Sequence, residues 1–271
     1  MLSTLLSSKA LVFIILSSTI SSLFAICCAF FIQTKILAKF VTPMVSLSIG
    51  FILGVCFLHG LPEAFANQDS EGVEHLFLTF LFGILTFFLL EKSRIIRHNH
   101  HHEDDGHVHE HGFDKKMAGK NGLSILIGDS LHNFCDGIMV AAAFIHSPDM
   151  GIVTAFAVFA HEIPQEMGDF LVLINAGFSR KKALLFNLLS GLCSVVGGIV
   201  GYFFLSLFLP YIPYILVFAY SSLVYIAVSD LLPQIQYHSS KKEYFLQILF
   251  VGFGLLLIYI LQNFGHGSHM H

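Results

Sequence analysis

The sequence predicts an all-α polytopic membrane protein with eight transmembrane helices. Its 271 residues are 55% hydrophobic and only 12% charged, with a mean hydropathy of +0.75. That composition is far too apolar for a soluble domain of this length. The formal net charge of −4 excludes a strongly basic nucleic-acid surface, so no nucleic-acid partner is expected. We therefore expect residues 1–271 to form a single transmembrane domain within a lipid bilayer.

The number of helices follows from the apolar segments. A helix that crosses a bilayer needs about 20 mostly apolar residues. Eight segments of this kind lie near residues 11–33, 42–66, 75–97, 121–146, 151–175, 183–209, 211–232 and 244–264. The first is longer than the apolar core of about 7–15 residues found in a removable signal peptide, so we expect it to be a true first span.

The basic residues predict the orientation of these segments. Thirteen of the 14 Lys and Arg residues follow odd-numbered segments, and only Lys9 lies on the other side. Short loops rich in Lys and Arg stay in the cytoplasm. The sequence thus predicts that both termini lie outside, in a plasma membrane or a bacterial inner membrane.

The connection between the third and fourth segments, residues 98–120, is predicted to be a disordered cytoplasmic loop. It is too polar to bury a core. Clustered imidazoles bind Zn²⁺, Cu²⁺ and Ni²⁺ with little discrimination. An auxiliary metal-collecting role is therefore predicted for His98, His100, His101, His102, His107, His109 and His111. A solvated polar linker is the alternative interpretation.

The fourth and fifth segments carry the groups that predict a binding site. Residues 128–137 read GDSLHNFCDG and residues 161–170 read HEIPQEMGDF. A charge at the centre of a bilayer costs about 2.5–3.5 kcal/mol on insertion scales, so such residues need partners or a function. Residues spaced by three or four share one helix face. That spacing relates Asp129, His132, Asn133 and Asp136 on one helix, and His161 to Gln165 and Glu162 to Glu166 on the next. Two such faces turned toward each other predict a divalent-cation site.

Pro164 lies inside the fifth segment and cannot donate to the carbonyl oxygen of Ala160. We expect a kinked helix there, with that oxygen available to an ion, as in broken helices of transporters. The mixture of imidazole, carboxylate and amide groups suits Zn²⁺, Fe²⁺ or Mn²⁺ better than Cu⁺.

Five residues are predicted to line an ion pathway. His59 and Glu63 lie four residues apart at the end of the second segment, where Pro62 loosens the turn before it. They are candidates for an entrance, with an interfacial structural role as the alternative. Asp230, near the end of the seventh segment, is a candidate for the exit route or a side chain that reaches toward water. Asp129 and Asp169 are assigned to the same pathway.

These motifs resemble one family. HNFCDG and HEIPQEMGDF resemble the fourth- and fifth-helix signatures of the ZIP family of metal-ion transporters, in particular its LIV-1 branch. HGLPEA, YIAVSDLLPQ and the His-rich loop also match the family layout. The resemblance implies a 3+2+3 bundle, in which spans one to three and six to eight form an inverted repeat around spans four and five.

The resemblance also implies a site and a function. His132, Asp136, His161 and Gln165 would form the primary metal site, and Asn133, Glu162 and Glu166 would form or border a second one. The branch signature has His where this chain has Gln165, and an amide oxygen is a weaker ligand than imidazole. The expected function is transport of zinc, or of iron, manganese or cadmium, into the cytoplasm. The ion is then the transported substrate, no catalytic cofactor is needed, the protein is not an enzyme, and the layout allows a homodimer.

An intramembrane zinc metalloprotease, or another membrane metalloenzyme, is the alternative. HEIPQ differs by one residue from the HExxH zinc motif, in which two His residues bind the ion and Glu acts as base. Here Gln165 replaces the second His and Pro164 lies between the two positions. A metal-sensing receptor without ion flux is a third interpretation.

Overall fold

The computed structural model describes residues 8–31, 34–66, 68–92, 115–175, 177–236 and 241–266. Nearly all of these residues are helical, and none of them lies in a strand. The seven loop histidines from His98 to His111 lie outside the described residues. The prediction of an all-α protein is confirmed for the part described.

The described helices form eight rods in chain order, which we label α1 to α8. Their main segments are Ser8–Phe31 in α1, Thr34–Gly54 in α2, Ser70–Lys92 in α3, Lys115–His146 in α4, Pro148–Asn175 in α5, Arg180–Leu205 in α6, Ile212–Ile226 in α7 and Lys241–His266 in α8. Each rod coincides with one predicted apolar segment, with ends displaced by a few residues. The displacement is largest at α2, which begins at Thr34 and not near residue 42, and α4 begins at Lys115 inside the predicted loop 98–120. A helix can continue past its apolar part.

Six of the rods are long and apolar enough to cross a membrane: α1, α2, α3, α6, α7 and α8. Helices α4 and α5 are as long, with 32 and 28 residues. They are also the two that carry the polar side chains of the predicted site.

Helices α2 and α7 share an unusual feature. In α2 a π-helical turn, Val55–Gly60, precedes the short segment Leu61–Phe65. In α7 a π-helical turn, Ala227–Leu231, precedes Leu232–Gln236. Each turn lies directly before a Leu-Pro pair, and Pro cannot donate a backbone hydrogen bond to the preceding turn. The expectation that Pro62 loosens the turn before it is confirmed.

The rods pack as two groups. Helices α1, α4, α5 and α6 contact one another and form what we call the central group. In the flanking group α2 packs on α8, α3 packs on α7, and α2 meets α7. Contacts of α2 with α5 and of α4 with α7 join the two groups. Glycines in α6 allow the close packing of the central group, since a Cβ at Gly197 would collide with the backbone oxygen of Phe134.

Candidate metal centre

Three side chains converge between α4 and α5. His132 and Asp136 lie one turn apart on α4, and His161 lies opposite them on α5. Nε2 of His161 is 2.9 Å from Oδ2 of Asp136, and Nε2 of His132 is 3.4 Å from the same oxygen. The ligand atoms of the three residues all lie within 4.8 Å of one another. We call His132, Asp136 and His161 the triad.

The ring of His161 is oriented by its own helix. Its Nδ1 is 2.9 Å from the backbone oxygen of Ala157, one turn earlier in α5. Since a carbonyl oxygen only accepts, Nδ1 donates the hydrogen and Nε2 is directed toward Asp136 and His132. A second nitrogen held in this way is typical of metal-binding His residues. Both His161 and Asp136 are buried, whereas His132 is half-buried.

Amide and carboxylate groups form a second cluster next to the triad. Asn133 donates through Nδ2 to Oδ1 of Asp129 at 3.0 Å, and Gln165 donates through Nε2 to the same oxygen at 3.2 Å. Glu166 follows Gln165 on α5 and is also buried. We call Asp129, Asn133, Gln165 and Glu166 the inner network. The structure thus places the amide nitrogen of Gln165 on Asp129, beside the triad.

Two glutamates of α5 are buried in different surroundings. The Ser21 hydroxyl of α1 donates to Oε2 of Glu162, which links that carboxylate to a neighbouring helix. The backbone oxygen of Glu166 accepts a hydrogen bond from Asn187 of α6 at 2.7 Å. Among the described residues, neither carboxylate oxygen of Glu166 has a hydrogen-bond partner. A buried carboxylate in this state is poorly stabilised and is suited to receive a cation.

The structure gives the Ala160 oxygen a hydrogen-bond partner that the sequence did not predict. Helix α5 runs without a break from Pro148 to Asn175, with Pro164 inside it. The Ala160 oxygen accepts a hydrogen bond from the Ser48 hydroxyl of α2 at 2.5 Å. Ser48 thereby supplies a donor in place of the backbone N–H that Pro164 lacks.

The predicted entrance contains a residue that sequence analysis missed. Oε1 of Glu63 is 4.0 Å from Nε2 of His146, the last residue of α4. His59 is buried in the π-helical turn of α2, whereas the Glu63 side chain is 42% exposed. We call His59, Glu63 and His146 the entrance group, after the role predicted for the first two.

The remaining predicted pathway residues are only partly described. Asp169 is buried near the end of α5, on the same side of the triad as the inner network. Asp230 belongs to the π-helical turn of α7, but its side chain lies outside the described residues.

Ser21, Ser48 and His146 could not be assigned from the sequence. Ser21 and Ser48 each lie among other serines in an apolar segment, so nothing distinguishes them locally. His146 lies next to a turn, where a polar residue is ordinary. Their contacts join positions 141, 112 and 83 residues apart, respectively.

Known proteins resemble this chain. A family profile described as ZIP Zinc transporter matches residues 93–262. Zinc transporter foi of Drosophila melanogaster is 38% identical over 159 residues, which are 54% of this chain and 22% of that protein. Human zinc transporter ZIP10 is 34% identical over 181 residues, which are 64% of this chain and 21% of that protein. Zinc transporter YKE4 of Saccharomyces cerevisiae is 29% identical over 254 residues, which are 81% of this chain and 70% of that protein.

The match to the first two relatives spans about a fifth of their length. The family profile, in contrast, covers more than half of this chain and includes α4, α5, the triad and the inner network. The six apolar helices of spanning length in this chain agree with a protein that crosses the membrane several times. The chain therefore belongs to the ZIP zinc transporter family and is a multi-pass integral membrane protein.

Proposed function

We propose that this chain transports divalent metal ions across its membrane, with zinc as the main substrate. The observation that carries the proposal is the triad. Three side chains from two helices direct their ligand atoms to within 4.8 Å of one another. Ligands of one tetrahedral zinc ion lie roughly 3–4 Å apart, so small side-chain movements suffice to bind it. Gln165 and Glu166 lie next to the triad and can contribute oxygen ligands, which Fe²⁺, Mn²⁺ and Cd²⁺ also accept.

We further propose eight transmembrane helices in a 3+2+3 arrangement with an inverted repeat. The packing supports this. Exchanging α1 with α6, α2 with α7, α3 with α8 and α4 with α5 maps the main contacts onto one another. The α4–α6 contact maps onto α5–α1, α2–α8 onto α7–α3, and α2–α5 onto α7–α4. The same exchange maps the π-helical turn of α2 onto that of α7.

The proposed route begins at the entrance group and reaches the triad between α4 and α5. It continues through the inner network toward Asp169 and Asp230 and the His-rich loop. The distribution of Lys and Arg places the entrance group outside and the loop in the cytoplasm. Inward movement is favoured by an inside-negative potential, about 2.3 kcal/mol per charge per 100 mV.

The packing argues against a metalloprotease. In that reading Glu162 would be the general base and residue 165 the second imidazole ligand. Instead, Glu162 accepts a hydrogen bond from Ser21 of α1, and the Gln165 amide nitrogen donates to Asp129. Two of the three triad ligands come from a different helix, α4. Transport therefore explains the arrangement better than peptide hydrolysis does.

Uptake into liposomes tests the proposal. The purified protein should accumulate radioactive zinc without any organic substrate, and His132→Ala and Asp136→Ala should reduce the rate to that of protein-free liposomes. Cys135→Ser is the matched control, because Cys135 lies between them on α4 but is exposed. Competition with Fe²⁺, Mn²⁺ and Cd²⁺ ranks the substrates. Equal uptake by the parent and both variants would contradict the site, and binding without accumulation would favour a sensor.

A further inference from the structure

Tyr220 is a fully buried side chain in the middle of α7. Its hydroxyl is 3.0 Å from the hydroxyl of Thr154 on α5, so the two share a hydrogen bond. A buried phenol is costly without such a partner. The bond joins α7 of the flanking group to α5 of the central group.

The phenol is seated against α2. A Cβ atom built at Gly60 would lie 2.5 Å from Cζ of Tyr220, closer than atoms of two side chains can approach. Gly60 belongs to the π-helical turn of α2, and the sulfur of Cys56 in that turn is 3.8 Å from the backbone oxygen of Tyr220. The absence of a side chain at Gly60 therefore creates the space in which the ring lies.

The height of the Tyr220 ring along the bundle follows from its contact with Thr154 on α5. Only Ser147 separates α4 from α5, so the two helices are antiparallel and His146 marks their outer end. Thr154 is seven residues before His161 on α5, which corresponds to about 10 Å along the helix. The phenol therefore lies on the outer side of the triad, level with the π-helical turn of α2 that carries His59.

The surroundings of the ring are tightly packed. Tyr220 belongs to the largest buried cluster, together with Val55, Cys56, Val153 and Ala157 from the two facing helices. Val153 and Ala157 lie on α5 between its outer end and His161, so the cluster occupies the outer half of the space between α2, α5 and α7. On the proposed route, an ion from the outer end crosses the level of this cluster.

We propose that Tyr220 is the outer gate of this transporter. Its hydrogen bond with Thr154 holds the closed conformation, and its ring must leave the Gly60 surface before an outside cation reaches the triad. The inference rests on the proposed function for the identity of the ion and its route, whereas the contacts of Tyr220 with Thr154 and Gly60 are independent of that function. In this proposal Tyr220 controls access to the triad and does not itself bind the metal ion.

Cys56 provides a native probe of this gate. In a background with Cys27, Cys28, Cys135 and Cys193 replaced by Ser, Cys56 is the one remaining cysteine. A membrane-impermeant thiol reagent applied to intact cells should alkylate it slowly, because it is fully buried. Tyr220→Phe and Thr154→Val each remove the inter-helix hydrogen bond and should accelerate alkylation about five- to tenfold. Gly60→Ala should act in the same direction by displacing the ring.

Tyr214→Phe is the matched control. It removes a hydroxyl from the same helix, from a ring that packs in another cluster with Ala64 and Val217, and it should leave the Cys56 rate unchanged. Equal rates of Cys56 alkylation in the parent and the three gate variants, whether fast or undetectable, would overturn the gate. Equal acceleration by Tyr214→Phe would overturn it as well. Since alkylation needs no metal flux, accelerated labelling without zinc uptake would retain the gate and refute the proposed substrate.

Discussion

The triad and the inner network lie on neighbouring turns of the same two helices, yet their residue types and their contacts differ. The triad side chains contact one another, with Asp136 between the two imidazoles. In the inner network two amides donate to Asp129, while the Glu166 oxygens have no hydrogen-bond partner within the described part of the chain. Nitrogen and oxygen ligands in one compact set favour tight zinc binding, whereas oxygen ligands hold zinc more weakly. The difference suggests one position that selects the ion and one that passes it on.

The largest expected effect is at the triad. His161→Ala removes an oriented imidazole and should weaken zinc binding in detergent at least about 100-fold, more than loss of an outer partner of a metal ligand does. Titration calorimetry with purified protein measures this. His75→Ala, the same change at an exposed position of α3, should leave the affinity unchanged. An affinity within threefold of the parent would remove the distinction between the two clusters.

A smaller effect is expected in the inner network. Glu166→Gln keeps the size of the side chain but removes a carboxyl group whose two oxygens have no hydrogen-bond partner among the described residues. Because this group receives the ion after the triad in our proposal, the maximal uptake rate should fall about tenfold while zinc affinity changes less than threefold. Uptake kinetics and calorimetry separate the two quantities. Glu74→Gln on the exposed face of α3 is the control. A large loss of affinity would instead make Glu166 a primary ligand.

A substitution at Gln165 tests how the ligand types of the two clusters determine the metal preference. Gln165→His adds an imidazole next to the triad and removes the donor to Asp129. Imidazole favours zinc over manganese, so the ratio of zinc to manganese uptake should rise about fivefold. Uptake from an equimolar mixture measures the ratio. Gln68→His is the control, because Gln68 lies between α2 and α3 and outside both clusters. This substitution should not change the ratio of zinc to manganese uptake.

The smallest effect on transport is expected at Ser48. Ser48→Ala leaves the Ala160 oxygen without its donor and should destabilise the fold by about 0.5–2 kcal/mol, because hydrogen bonds between membrane helices contribute modestly. Thermal unfolding in detergent should shift downward by a few degrees, with uptake within about twofold of the parent.

Ser46→Ala is the matched control for Ser48, because Ser46 is buried on the same helix but donates to Thr42 within α2. If both variants lost the same stability, the hydrogen bond from Ser48 would not be what stabilises α5 at Pro164.

Much of the helical arrangement could be predicted from the sequence. Apolar length indicates each helix, and the spacing of His132 and Asp136 indicates a shared face. The partner of the Ala160 oxygen was missed, because the sequence shows the donor that Pro164 lacks but not the Ser48 hydroxyl that takes its place. The partner of Glu63 was missed for a similar reason, since His146 follows it by 83 residues.

The sequence by itself determined which residues share one face of a single helix, since the helical repeat depends only on local backbone geometry. It therefore determined the two polar faces, the apolar surfaces and the proline positions. Only the tertiary structure decided which groups meet across helices: His161 with Asp136, Ser21 with Glu162, and Tyr220 with Thr154 on the Gly60 surface. Such contacts depend on the rotation and vertical register of packed helices, which are set by side-chain packing over the whole bundle.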